Sequence, residues 1–307
     1  MPNGGAHRKF FLSSEALIPA VNSRPVHLPN EQISELCFDT GELAEPVEIL
    51  GFPVARLEVS ADRPLALVAV RLCDVWPDGV STLITVGFLN LAHRNSSEHP
   101  EELTPGQRYA VEVKMNSIGY SLPAGHRLRL AVSPTYWPWI WPSLESVVLS
   151  VYTDVSHLEL PTWAGDTTAH EPPPHFFEPE EAPSPPHQIE AFEAENRETC
   201  RDVATGRVET DHVGREVRLK LLDDGLEYQS GMRDFHRIFE GEPLSAFNLC
   251  ERDIVIARDN WRTRVHTVST MSSTAKVFHL TNVLEGYEGD CRIFAKTWEL
   301  AVPRDNV

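Results

Sequence analysis

Apolar residues recur at every second position along most of this chain, and no long segment repeats them at the 3.6-residue period of a helix. In Val54-Ala-Arg-Leu-Glu-Val59, Leu57 and Val59 point one way and Arg56 and Glu58 the other, the pattern of a half-buried strand. Tyr109, Val111, Val113 and Met115 share one face of a second such run, and Leu128, Leu130 and Val132 one face of a third. Residues 65–76 are apolar on both faces, which suits a central strand, and they end at Trp76-Pro-Asp-Gly79, a turn signal. Residues 80–91 then return. Short strands separated by turns predict an antiparallel sandwich or jelly roll over residues 1–161.

The pattern breaks between residues 166 and 198, which hold seven prolines and nine acidic residues against one basic, Arg197. Neither helix nor sheet can run through Pro172-Pro173-Pro174, so residues 162–190 are expected to form an extended, solvated linker. Alternation resumes beyond it in Val217-Arg-Leu-Lys-Leu221, Arg252-Asp-Ile-Val-Ile-Ala257, and the runs 262–268, 275–280 and 292–298. Asp223-Asp-Gly225 and Glu285-Gly-Tyr-Glu-Gly289 read as turns. Residues 191–307 are therefore expected to form a second antiparallel β domain. The whole chain reads as all-β.

Charge and composition narrow the function. With 27 basic and 45 acidic residues the net charge is −18, a field that repels phosphate and excludes coating of nucleic acid or an anionic bilayer. No apolar run approaches the ~18 residues of a membrane helix. Five dispersed cysteines without a CxxC suggest neither a disulfide framework nor a zinc knuckle. Residues 1–15 offer only three apolar residues between the basic pair and Ser13, too few for a signal-peptide core. A cytoplasmic protein is the expectation.

Catalytic and metal signatures are missing from the sequence. Gly119-Tyr-Ser121-Leu-Pro-Ala-Gly125 has the wrong spacing for a nucleophile elbow, and its proline blocks a following helix, so Ser121 reads as a turn residue. His170, His175 and His187 fall in the linker, where rigid ligation is not expected. His126 shares the parity of Leu128 and Leu130 and is expected at the core, hydrogen-bonded. His212 and Asp211 are adjacent on a strand and should face opposite ways. No catalytic residue, metal ligand or cofactor is assigned.

One feature rises above this background. Trp137, Trp139 and Trp141 stand at period two, so an extended backbone would line three indoles along one face. Such a face suits burial, in this domain's own core or against another domain, or a stacking platform for a sugar or an aromatic acyl group; an interface is favoured, since three exposed indoles form an unusually large apolar patch.

Four strings in order carry a resemblance: Leu72-Cys-Asp-Val-Trp-Pro-Asp-Gly79, Gly87-Phe-Leu-Asn-Leu-Ala-His-Arg94, Leu103-Thr-Pro-Gly-Gln-Arg-Tyr109 and Ala124-Gly-His-Arg-Leu-Arg-Leu130. Together they resemble the C-terminal jelly roll of the X-prolyl dipeptidyl-peptidase, cocaine esterase and α-amino acid ester hydrolase family. Arg8-Lys-Phe-Phe-Leu-Ser-Ser14 looks like its opening strand and Ser156-His-Leu-Glu-Leu-Pro161 its closing one. The second β block looks like a region appended in longer members. The resemblance implies a galactose-binding-like sandwich docked on an α/β-hydrolase domain that carries Ser, Asp and His upstream, so none of these three maps onto this chain. The implied partner is that catalytic domain, in cis or as a split partner, or a further copy by self-association. The alternative is a free-standing β-sandwich module for carbohydrate or a similar ligand.

Overall fold

The run 65–76 forms the most buried strand of the protein. In the computed structural model, which describes residues 6–12, 17–19, 35–163, 175, 177–178, 180 and 182–307, the chain divides into two compact units. One comprises residues 1–171 with 306–307, the other residues 172–305.

Among the described residues twelve strands build the first unit: β1 (Ala6–Phe11), β2 (Leu17–Pro19), β3 (Leu36–Asp39), β4 (Val47–Gly51), β5 (Val54–Ala61), β6 (Leu67–Val75), β7 (Ser81–Asn90), β8 (Tyr109–Lys114), β9 (Ile118–Leu122), β10 (Arg127–Ser133), β11 (Leu149–Val151) and β12 (His157–Thr162). One antiparallel sheet runs β11-β5-β12-β4-β9, with β1 on β12 and β8 on β5; the other runs β2-β3-β10-β6-β7. Between them, Leu57, Val59 and Leu158 meet Val70, Leu72 and Leu130. Burying each such side chain contributes about 1.5–3 kcal/mol. All nine residues of β6 are buried, as its two-faced apolarity predicts.

The expected turn at Trp76–Gly79 forms, with Gly79 N–H donating to Trp76 O (2.9 Å) and φ +88° at Gly79. Ser121 departs from expectation. It lies within β9, not a turn, and its hydroxyl donates to Glu48 Oε1 at 2.6 Å. The period-two exposure of β9 continues through it, and the turn forms one step later, at Gly125 (φ +82°).

On the solvent side of the first sheet, the Glu159 carboxylate gathers Lys9 Nζ (2.9 Å), Arg56 Nε (2.9 Å) and His157 Nε2 (3.2 Å) from β1, β5 and β12. Hydrogen bonds from Lys9 and Arg56 hold its pKa down at about 2. A depressed carboxylate stabilises the fold above its ordinary value of 4.5 and loses that contribution as pH falls from there toward about 2. Glu159→Gln should accordingly flatten the acid limb of a plot of melting temperature against pH; an unchanged limb would show that the cluster adds nothing.

Of the connector expected at 162–190, residues 164–174, 176, 179 and 181, His170 among them, lie outside the described residues; β12 runs through Thr162. The second unit consists of β13 (His187–Glu193), β14 (Asn196–Asp202), β15 (Arg207–Val213), β16 (Glu216–Leu221), β17 (Glu227–Phe239), β18 (Glu242–Arg258), β19 (Trp261–Ser273), β20 (Val277–Glu288) and β21 (Cys291–Pro303). His187 therefore opens a strand. All nine lie in one antiparallel sheet, ordered β13-β16-β17-β18-β19-β20-β21, with β15 on β17 and β14 on β15. The turn expected at Glu285–Gly289 sits later, at Gly289 (φ +57°), because Glu285 and Tyr287 are held in β20 by pairing with Ala295 and Arg292.

Cross-strand ion pairs lace this sheet. Asp211 takes Arg233 bidentately (2.8 and 2.7 Å), and Asp253 takes Arg264 and His266 Nδ1, the latter at 3.1 Å. One face carries Phe278, Leu280, Phe294, Trp298, Leu300 and Val302, placed together by the β20–β21 register. All thirteen residues of β21 are exposed.

Candidate functional site

Two of the four motif strings meet at the end of β6. The register places Leu128 beside Asp74 and Leu130 beside Leu72, which brings His126 over the Asp74 side chain. Asp74 is 1% exposed, and its carboxylate accepts from His126 Nδ1 (2.8 Å) and from Tyr120 Oη (2.8 Å). Tyr120 belongs to β9 of the first sheet and Asp74 to β6 of the second, so the carboxylate clamps the two sheets together. Burial, with the bond to Asp74, pushes the Tyr120 phenol up to about 12, which keeps it a donor. The Trp76 ring lies 5.1 Å from the His126 ring, and its Nε1–H donates to Thr82 Oγ1 at 3.3 Å. His126 is thus the hydrogen-bonded core histidine its parity predicts.

The other two strings meet as well. Gly87 sits where a side chain could not: a Cβ there would lie 2.7 Å from the backbone oxygen of Lys114. Asn90 Oδ1 accepts from Ala92 N–H (3.0 Å) and caps a 3-10 turn over Leu91–His93. Arg94 stacks 4.4 Å from the Tyr109 ring centre, and Tyr109 Oη accepts from Thr104 N–H at 2.9 Å. These motif residues shape turns, caps and close approaches.

The outer face of β6 and β10 is buried too, although it carries charge. Opposite the core-facing Leu72 and Leu130, the register sets Arg71 beside Ala131 and Cys73 beside Arg129. Arg129 grips Asp39 with two bonds (2.7 and 2.9 Å), and Arg71 pairs with Glu35 and lies 5.4 Å from the Tyr136 ring centre. Burial pushes the Cys73 thiol up to about 11, which leaves it unreactive at neutral pH.

Tyr136 leads into the tryptophan segment, and here the expected geometry fails. Residues 136–140 form a turn, closed by Ile140 N–H on Tyr136 O (2.9 Å), with a cis Trp137–Pro138 bond. Period two holds only for an extended backbone, so the three indoles do not share a face. Trp137 is 4% exposed and packs edge-on against a half-buried Trp141, ring centres 5.3 Å apart, whereas Trp139 is 69% exposed. Of the three, one indole is presented to solvent.

The hydroxyls and rings that could have made a catalytic pair have structural partners. Ser156 Oγ donates to Tyr152 O at 2.6 Å and Ser60 Oγ bonds Tyr152 Oη at 3.1 Å. His212 takes Glu195 (2.8 Å) while its neighbour Asp211 takes Arg233, as strand parity requires. Among the described residues no cluster of His, Cys, Asp and Glu could hold a metal, and no helix is long and apolar enough to cross a membrane. A cavity of about 580 Å³ opens at the edge of the sandwich, lined by Leu12, Phe38, Leu128, Leu130 and Leu158 with Lys9 and Glu42 among its polar residues.

The signature residues of this β-sandwich serve turns, caps and a sheet-to-sheet clamp. Residues 19–172, half of the chain, match the X-Pro dipeptidyl-peptidase C-terminal non-catalytic domain, and the chain belongs to that family. It is similar to the cocaine esterase of Rhodococcus sp. (strain MB1 Bresler), 30% identical over 117 residues that make up 38% of this chain and 20% of that one. A putative Xaa-Pro dipeptidyl-peptidase of Rhodopirellula baltica is 25% identical over 136 residues, 42% of this chain and 22% of its own. Among solved structures, an α-amino acid ester hydrolase matches with a TM-score of 0.37 at 24% identity, covering 42% of this chain and 25% of its own. An aminopeptidase from a marine sediment thaumarchaeon matches with a TM-score of 0.41 at 19% identity, covering 42% and 26%. The chain spans about a fifth of the length of the two curated relatives.

Proposed function

We propose that this chain is the non-catalytic part of a serine acyl hydrolase, a galactose-binding-like sandwich that packs on an α/β-hydrolase domain, in cis or as a split partner, and helps wall its acyl pocket. The observation that carries the reading is the Trp137–Trp141 turn. It anchors one indole in the protein and presents Trp139, 69% exposed, on a rigid support, the arrangement of an interface anchor. Trp137 and Trp141 hold the docking residue instead of docking themselves. The five free cysteines fit a reducing cytoplasm.

The test has two arms. The purified chain should show no labelling by a fluorophosphonate serine probe and no turnover of activated acyl esters. Trp139→Ser should leave the melting temperature unchanged and weaken association with a family α/β-hydrolase domain by about tenfold or more, as expected for a central aromatic anchor. Stoichiometric labelling at one serine, or association indifferent to Trp139, would sink the reading. A second reading, a ligand-binding module, is supported by the cavity at the sandwich edge, whose size suits a small molecule and whose leucine-rich lining suits an apolar group better than a sugar.

A further inference from the structure

The turn that presents Trp139 is seated partly on a charge. On the outer face of β6, Leu67 and Ala69 stand in line with Arg71, and the register sets Phe88 beside Ala69 and Val86 beside Arg71. Both ends of the turn pack on this strip. Tyr136, 3% exposed, clusters with Leu67 and Ala69, and Val86 and Ile140 pack against them. The Phe88 ring lies 5.4 Å from the Tyr136 ring, tilted by 39°. The remaining wall of the seat is ionic. Arg71 is 5% exposed, lies 5.4 Å from the Tyr136 ring centre and pairs with Glu35, just ahead of β3. Glu35 Oε1 also accepts from the Cys37 thiol at 3.6 Å.

A buried ion pair is a poor device for stability, because desolvating both charges offsets most of their attraction, and apolar groups of the same volume often serve as well or better. What it supplies is direction. An apolar wall accepts a ring wherever it fills the space, whereas a planar guanidinium fixed by a carboxylate attracts an aromatic ring at one place. The ring fixed here is Tyr136, whose carbonyl closes the turn by accepting from Ile140 N–H at 2.9 Å. Trp139 stands between those two ends, 69% exposed, so the direction of its indole follows from theirs.

We propose that Arg71 and Glu35 are positioning residues: they fix Tyr136, and through it the turn, so that Trp139 is held in its docking arrangement before a partner arrives. A turn ordered in advance spares the complex the entropy of ordering it. What Trp139 meets rests on the hydrolase reading above; how it is held does not.

Amide exchange of the full chain, read residue by residue by NMR, tests the proposal. Replacing Arg71 alone leaves Glu35 buried and unpaired, so the variant is double, Arg71→Met with Glu35→Gln, which removes both charges and keeps the volume. Its melting temperature should stay within about 3 °C of the wild type. The Ile140 amide should exchange about tenfold faster, while those of Leu72 and Leu130 keep their wild-type rates. Arg129→Met with Asp39→Asn makes the same replacement at the neighbouring pair of that face and should leave Ile140 unchanged. Association with a family α/β-hydrolase domain should weaken about fivefold in the Arg71/Glu35 variant. Adding Trp139→Ser to it should bind no worse than Trp139→Ser alone, since both act through one indole. An Ile140 amide at the wild-type rate overturns the proposal, and so does equal acceleration at Leu72 and Leu130, the mark of a general loss of stability. Undiminished association of the double variant overturns it as well. A wild type that does not associate overturns the hydrolase reading alone, and the exchange rates then decide this proposal.

Discussion

Replacing Asp74 by alanine should lower the melting temperature of the sandwich by about 6–20 °C, the shift that about 3–5 kcal/mol produces in a unit of this size. The carboxylate is 1% exposed and is the shared acceptor of His126 and Tyr120. Its removal takes the acceptor from the buried His126 and from the half-buried Tyr120, an unpartnered buried donor costing about 1–3 kcal/mol, and leaves the space of the carboxylate empty. Tyr120→Phe tests the division of that cost. It deletes one donor and leaves Asp74 its bond to His126, so the loss should be about 1 kcal/mol. Thermal unfolding followed by circular dichroism measures both. If Asp74→Ala were no worse than Tyr120→Phe, the clamp between the two sheets would not be a main support of the sandwich.

The second large effect is expected at Trp137. Truncating it to alanine empties a buried site next to Trp141 and should cost about 3–5 kcal/mol. The same truncation at Trp139, two residues away and 69% exposed, should stay within about 0.5 kcal/mol. The pair of measurements separates a turn from a strand. An extended backbone would make positions 137, 139 and 141 equivalent, whereas the turn makes them unequal. Comparable losses at 137 and 139 would restore the single tryptophan face and remove the basis for Trp139 as a docking anchor.

The difference between what the sequence disclosed and what it hid follows the physics of each segment. Strands with a clean apolar face, such as those at Val54, Tyr109 and Arg127, were legible because period-two burial leaves its mark directly. The strands of residues 187–213 and the long β17 were not. Asn196-Arg-Glu-Thr-Cys-Arg-Asp202 has no apolar stripe, because both faces of that strand stay accessible to water. Likewise Glu285 to Glu288 looked like turn material and is strand, since ladder pairing outweighs local propensity there. The clamp was half visible: His126 was expected at the core from its parity, but Asp74 passed as one residue of an apolar run. A charged residue within a run apolar on both faces is the signal that could have found it, and it applies equally to Arg71. The tryptophan segment misled because spacing reports a shared face only where the backbone is extended, and Pro138 and Pro142 interrupt it.

Placing nine strands in one sheet has a consequence for how the second unit comes apart. Each strand there pairs only with the strands beside it, and among the described residues no second layer of strands ties distant members together. Its stability is then a sum of nearest-neighbour terms along one dimension, as in a stacked repeat array, in contrast to the single shared core that makes the sandwich melt as one. Such an array loses order from its ends inward. Amide protons near β13, β14 and β21 are expected to exchange through shallow local openings and those of β17 and β18 only through deep ones, so exchange measured strand by strand should show different cooperativity in the two halves of one polypeptide.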